Sequence, residues 1–141
     1  LITTSTKENY KPPHKSMPTI FNLYQNYPNP FNPETTIKYT ISEKGKVTLS
    51  IYNINGQLVK RLVNKEEKES GYYEVFWNGR DNKEQEISSG IYLYTIKVEV
   101  KGMTKYSFTR KAILLKWANI NIKSPAYALV ASAMAFNFSG L

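Results

Sequence analysis

The chain has 141 residues, 41% of them hydrophobic and 21% charged, which suits one packed domain and excludes a disordered polymer. It contains no cysteine, which excludes disulfides, thiolate metal sites and thiol nucleophiles, and its 11 Tyr and 6 Phe favour strands. The formal net charge of +8 is spread along the chain among acids, without the single basic face of a nucleic-acid binder, and fits loose attraction to an anionic cell surface.

In chain order, residues 1–18 are polar and aperiodic, and Pro12-Pro13 and Pro18 favour extended backbone. We read them as a linker or the end of an upstream region of the same polypeptide. The chain opens on Leu1 without a leader pattern, so a piece of a longer polypeptide is expected. Tyr27-Pro28-Asn29-Pro30-Phe31-Asn32-Pro33 admits neither a helix nor a central strand, because each proline lacks an N–H and restricts its predecessor. An ordered irregular segment anchored by Phe31 is expected there.

Period-two alternation follows. Ile37, Tyr39 and Ile41 share one face, Glu43 to Lys46 make a turn, and Val47, Leu49 and Ile51 resume the pattern, predicting an antiparallel hairpin. Asn53-Ile54-Asn55-Gly56 is a turn in which Gly56 can take positive φ, and a short strand spans Leu58 to Val63. The run Lys65-Glu66-Glu67-Lys68-Glu69 reads as a solvated loop. Tyr73, Val75 and Trp77 alternate from Gly71, and residues 78–82 turn again. Gly90 opens the longest strand signal, through Val98, and its early part is apolar on both faces, as in a central strand. Lys101-Gly102 leads into a last strand from Lys105 to Leu115. About seven strands with no helix-period segment between them predict an all-β, antiparallel, immunoglobulin-like sandwich.

These motifs together resemble the type IX secretion system C-terminal sorting domain. Tyr27 to Pro33, Thr36-Ile37-Lys38-Tyr39, and Ile51-Tyr52-Asn53 with Gly56-Gln57 and Val59 are similar to its first half. Trp77-Asn78-Gly79-Arg80-Asp81, Ser89-Gly90-Ile91-Tyr92, and Arg110-Lys111 with Leu114-Leu115-Lys116 follow in the order of its second half. The fold also resembles the immunoglobulin-like domain of the flagellar hook-capping protein. The resemblance covers roughly Phe21 to Lys116 and implies a sorting domain over 19–116. Such a domain carries an upstream cargo domain of the same polypeptide from the periplasm across the outer membrane. The implied partners are the outer-membrane translocon and the sorting and anchoring machinery, and the destination is the cell surface or the medium. Arg110 and Lys111 are the residues we assign to recognition. The family commonly has glycine where this chain has Glu84, so a differently shaped loop before Ile87 is expected.

The family pattern ends near Lys116, whereas this chain continues through 117–141 with Lys123 as that tail's one charge. The apolar stretch from Ala126 to Phe136 is about half the length of a bilayer span. Ser124-Pro125 can start a short helix; a disordered tail or a read-through terminus are the other readings, and in each the tail can mask the signal.

Physical expectations attach to several motif residues. Trp77 needs an acceptor for its buried N–H. Gly79 and Gly90 suit positive φ or a close approach, and Asp81 can accept the loop amides after it.

No catalytic constellation is expected. His14 is the sole histidine and lies in the linker, and Asp81 is the sole aspartate, so a triad would need both across a flexible segment. The glutamates fall in loops or on polar strand faces, and no glycine-rich phosphate loop precedes a helix. No cofactor is expected, and Asp81 with Asn82 reads as a hydrogen-bonded turn before a calcium site. The alternative function is a carbohydrate-binding β-sandwich module of an exported enzyme, with Tyr72, Tyr92, Tyr94 and Tyr106 forming a flat stacking face.

Overall fold

A computed structural model describes residues 16–116. The linker through residue 15 with His14, and the tail 117–141 with Ser124-Pro125, lie outside the described residues. Seven strands form: β1 (Asn22–Leu23), β2 (Thr35–Ile41), β3 (Gly45–Asn53), β4 (Leu58–Lys68), β5 (Gly71–Trp77), β6 (Gly90–Val100) and β7 (Met103–Leu114). They make two antiparallel sheets, β1-β2-β5 and β4-β3-β6-β7, stacked as an immunoglobulin-like sandwich.

Alternation explains the core. Ile37, Tyr39 and Ile41 of β2, Val47, Leu49 and Ile51 of β3, and Tyr92, Tyr94, Ile96 and Val98 of β6 all point into one cluster. Their neighbours in sequence point outward, as a period of two requires. Trp77 ends β5 fully buried, tilted against Phe31 at 5.1 Å and edge-on to Tyr92 at 5.8 Å between ring centroids. Phe31 is buried, as its place in the proline-rich segment predicts.

Three expectations are corrected. The apolar rows of β2 and β3 are not hairpin partners: β2 pairs with β1 and β5, whereas β3 pairs with β4 and β6. The link at residues 42–44 carries the chain from one sheet to the other, so the two rows line one core from opposite sides. The charged run at 65–69 is not a loop as far as Lys68, because β4 continues through it and pairs Lys68 with Gly45 and Glu66 with Val47. Backbone pairing on an edge strand needs no apolar side chain, and Lys65 at φ 50° marks an irregularity there. The last strand starts at Met103, two residues earlier than expected.

Candidate functional site

The motif segments gather at one end of the sandwich. The segment 27–35 entering β2, the turn between β3 and β4, the long link from β5 to β6, and the exit of β7 all lie there, since Thr35 pairs with Trp77, Asn53 with Tyr92, and Gly90 with Leu114. Proline prevents the segment from Tyr27 to Pro33 from joining a sheet by its full length, and it serves as an edge seal instead. Phe31 donates its N–H to the Ile113 carbonyl at 2.9 Å and accepts from the Leu115 N–H at 3.0 Å. The Ile113 N–H donates to Asn29 Oδ1 at 2.9 Å, and Gln25 Nε2 donates to the Lys111 carbonyl at 2.7 Å. On the other side, Ser89 Oγ accepts the Lys116 N–H at 2.8 Å. Ala112, Ile113 and Leu114 are consequently buried. An edge strand that would otherwise offer free N–H and C=O groups is closed at its exit by motif residues.

The seal is fixed to the core behind it. Tyr94 Oη accepts the buried Asn26 N–H at 2.8 Å and donates to the Tyr24 carbonyl at 2.9 Å. Burial pushes the Tyr94 phenol up to about 12, against the opposing pull of the Asn26 hydrogen bond and the nearby Arg110 charge. Burial likewise raises the Tyr39 phenol strongly, with Tyr73 and Glu66 adding to it. Asn26 Nδ2 also donates to Thr35 Oγ1 at 3.0 Å, tying the segment to the start of β2.

The segment from Trp77 to Asp81 forms the floor of this end. Trp77 Nε1 donates to the Arg80 carbonyl at 3.0 Å, the acceptor its burial demanded. Gly79 has φ 68°, and a Cβ there would stand 2.6 Å from the Pro33 carbonyl oxygen, so both the left-handed backbone and the close approach require glycine. Asp81 Oδ1 accepts the N–H groups of Lys83 at 2.8 Å and Gln85 at 2.9 Å, as predicted for a turn. Glu84, where the family commonly has glycine, sits at φ 59°, in the left-handed region that glycine enters more readily. Its carboxylate is held below the usual range by hydrogen bonds from Lys60, first, and Asn78. Gly56, at φ 79°, completes the β3–β4 turn with its N–H on the Asn53 carbonyl at 3.0 Å.

Arg110 and Lys111 lie on opposite faces of β7. Adjacent strand residues point to opposite faces, and the register puts Arg110 opposite the buried Tyr94 and Lys111 opposite Leu93. Arg110 Nε donates to the Leu23 carbonyl, so it bridges β7 to β1. Lys111 stays exposed on the outer face of the four-stranded sheet.

The proposed sugar-stacking face does not form from its four tyrosines. Tyr92 and Tyr94 lie on the inward face of β6 and are buried, and Tyr106 stacks on Phe21 at 4.9 Å. Tyr72 belongs to β5 in the other sheet. Among the described residues, no cluster of three or more histidine, aspartate and glutamate side chains is placed to hold a metal ion, and no helix is long and apolar enough to cross a membrane.

Residues 32–102 match the FlgD Ig-like domain family. No curated protein matches the chain. Among solved structures, dimeric latent PorU from Porphyromonas gingivalis is similar at 24% identity and a TM-score of 0.59, over 70% of this chain and 10% of that one. FlgD from P. aeruginosa is similar at 18% identity and a TM-score of 0.49, over 57% of this chain and 61% of that one. PorZ of Porphyromonas gingivalis, described as an essential surface component of the type-IX secretion system, is similar at 22% identity and a TM-score of 0.43, over 68% of this chain and 11% of that one. The chain thus spans about a tenth of PorU and about three fifths of FlgD.

Proposed function

This chain belongs to the FlgD Ig-like domain family, and on that premise we propose that it is a non-catalytic secretion and sorting module of the type IX kind. It directs an attached cargo protein from the periplasm across the outer membrane to the cell surface or the medium. The reading is supported chiefly by the ordered motif string and by where it converges. Asn29, Phe31, Ser89 and Gly90, none of which is near β7 in sequence, all hold the exit of that strand. A module that only had to fold would not need four separate motif positions on one strand exit; a module read by a translocon must present that exit in one shape.

The partners in this reading are the outer-membrane translocon, the sorting and anchoring machinery, and a cargo domain in the same polypeptide. Lys111 is the recognition contact, since it is exposed one turn of pleat from the sealed residues and is free to meet an acidic receptor group. Arg110 is a positioning residue through its bond to Leu23. The test is a periplasm-directed reporter fused ahead of residues 19–116 in a host with the type IX machinery. Export is expected, with Lys111→Glu reducing it while leaving the unfolding free energy within about 0.5 kcal/mol of the parent. A reporter that stays in the periplasm while an established sorting domain carries it out refutes the proposal.

A further inference from the structure

The outer face of the four-stranded sheet carries a feature that neither folding nor the sealed strand exit uses. Ser50 is 2% exposed, and its Oγ is the one buried side-chain N or O atom among the described residues that has no hydrogen-bond partner. Such an orphan costs free energy unless something fills the space beside it. Ser50 alternates with the core residues Leu49 and Ile51, so its hydroxyl points away from the core. It sits in a groove of about 180 Å³ on the outer face, lined also by Thr48, Arg61, Lys65, Thr95, Lys97 and Glu99.

Register assembles this groove from three strands that are not all consecutive. Arg61, Ser50, Thr95 and Thr109 form one row across β4, β3, β6 and β7. Thr48 and Lys97 begin the next row. Thr95 and Thr109 share a hydroxyl–hydroxyl bond of 2.8 Å, which fixes the Thr95 rotamer beside Ser50. Three cations face one carboxylate here, and Glu99 is already drawn to Lys65 at 3.9 Å. The side chains of Arg61 and Lys97 make no ion pair among the described residues.

We propose that this groove binds a tetrahedral oxyanion of the phosphate type, with Ser50 Oγ and Arg61 as its principal donors and Lys97 as the neutralising charge. A hydroxyl donor beside a planar, multi-donor guanidinium is the arrangement that a tetrahedral anion satisfies and a neutral ligand does not. The shared chemistry is that of a phosphate ester, presented either free in solution or on a lipid headgroup. The site is independent of the sorting reading, because it uses none of the residues that seal the β7 exit.

Amide NMR of the full 141-residue chain at low ionic strength tests it in two arms. One titrates inorganic phosphate, and the other titrates phosphatidylcholine vesicles containing phosphatidic acid. Saturable perturbation confined to the amides of residues 48–52, 61 and 95–97 is expected in at least one arm, and the arm identifies the source of the phosphate. Ser50→Ala removes no protein hydrogen bond and so leaves the fold intact; it should weaken binding about tenfold, as should Arg61→Gln. Lys83→Gln, an equal loss of charge in the β5–β6 link, should leave the affinity unchanged. Absence of saturable shifts in both arms overturns the proposal. So does binding by Ser50→Ala and Arg61→Gln at the parental affinity, which would reduce the effect to nonspecific attraction by net charge.

Discussion

Tyr94→Phe deletes one oxygen atom and tests how the proline-rich segment is held. The ring stays, so the transfer of apolar surface is unchanged and no cavity of note opens. Two hydrogen bonds are lost. The Asn26 N–H is left in a residue 2% exposed with no other acceptor for it, whereas the Tyr24 carbonyl belongs to a residue exposed enough to be rehydrated. The cost is therefore that of one orphaned buried donor, about 1–3 kcal/mol. For a domain of this size that lowers the thermal midpoint by about 4–8 °C per kcal/mol. The substitution has a second signature in alkali. Because the folded Tyr94 pKa is raised to about 12 above its ordinary 10.0, the folded state holds its proton longer than the unfolded chain. Stability is full below pH 10 and is lost as pH rises toward 12, on the order of 2–3 kcal/mol for this group. Tyr94→Phe should lose that part of the alkaline limb while starting lower at neutral pH. Urea melts from pH 7 to 11.5, read by tryptophan fluorescence, measure both. A variant within about 0.5 kcal/mol of the parent at pH 7, with the same alkaline slope, would refute the claim that Tyr94 anchors the segment.

Other perturbations follow from the same geometry. Trp77→Ala should destabilise the domain by about 3–5 kcal/mol in chemical denaturation, since it empties the space between Phe31 and Tyr92 and orphans the Arg80 carbonyl. Gly79→Ala should cost about 2 kcal/mol or more, and Gly56→Ala distinctly less in the same melts. Both residues are left-handed, but only a Cβ added at Gly79 would collide with backbone. Glu84→Gly should flatten the acid limb: the folded carboxylate is depressed by Lys60, so its stabilisation is present above about pH 4.5 and is lost as pH falls through the folded value. Far-ultraviolet circular dichroism of residues 19–116 should show β structure with little helix.

Strand identity was legible in the sequence because a period of two is local. Ile37, Tyr39 and Ile41, or Val47, Leu49 and Ile51, announce a buried face on their own. The partner strand was not legible, since three linking residues can reverse a chain within a sheet or carry it across a sandwich, and alternation is the same in both. The charged end of β4 hid for a related reason: Glu66 to Lys68 are strand by backbone pairing with β3, a partner that side-chain composition does not encode. The inward fate of Tyr92 and Tyr94 was available from their alternation with Ile96 and Val98, and the separation of Arg110 from Lys111 from the strand period itself. The Ser50 groove was out of reach, because it requires the mutual register of β4, β3 and β6. The sealing of the β7 exit was foreshadowed only by Phe31 as an anchor; that Asn29, Ser89 and Gly90 reach the same few residues emerges only in three dimensions.

If the motif-bearing end of this sandwich is an export signal, secretion of an attached reporter depends on the type IX translocon. A reporter fused ahead of residues 19–116 is expressed in two strains of one host, one with a working type IX translocon and one without it, and the extracellular and cell-surface fractions are quantified. Most of the reporter should leave the first strain and accumulate in the periplasm of the second. Equal distributions in the two strains, whether retained or released, would contradict it.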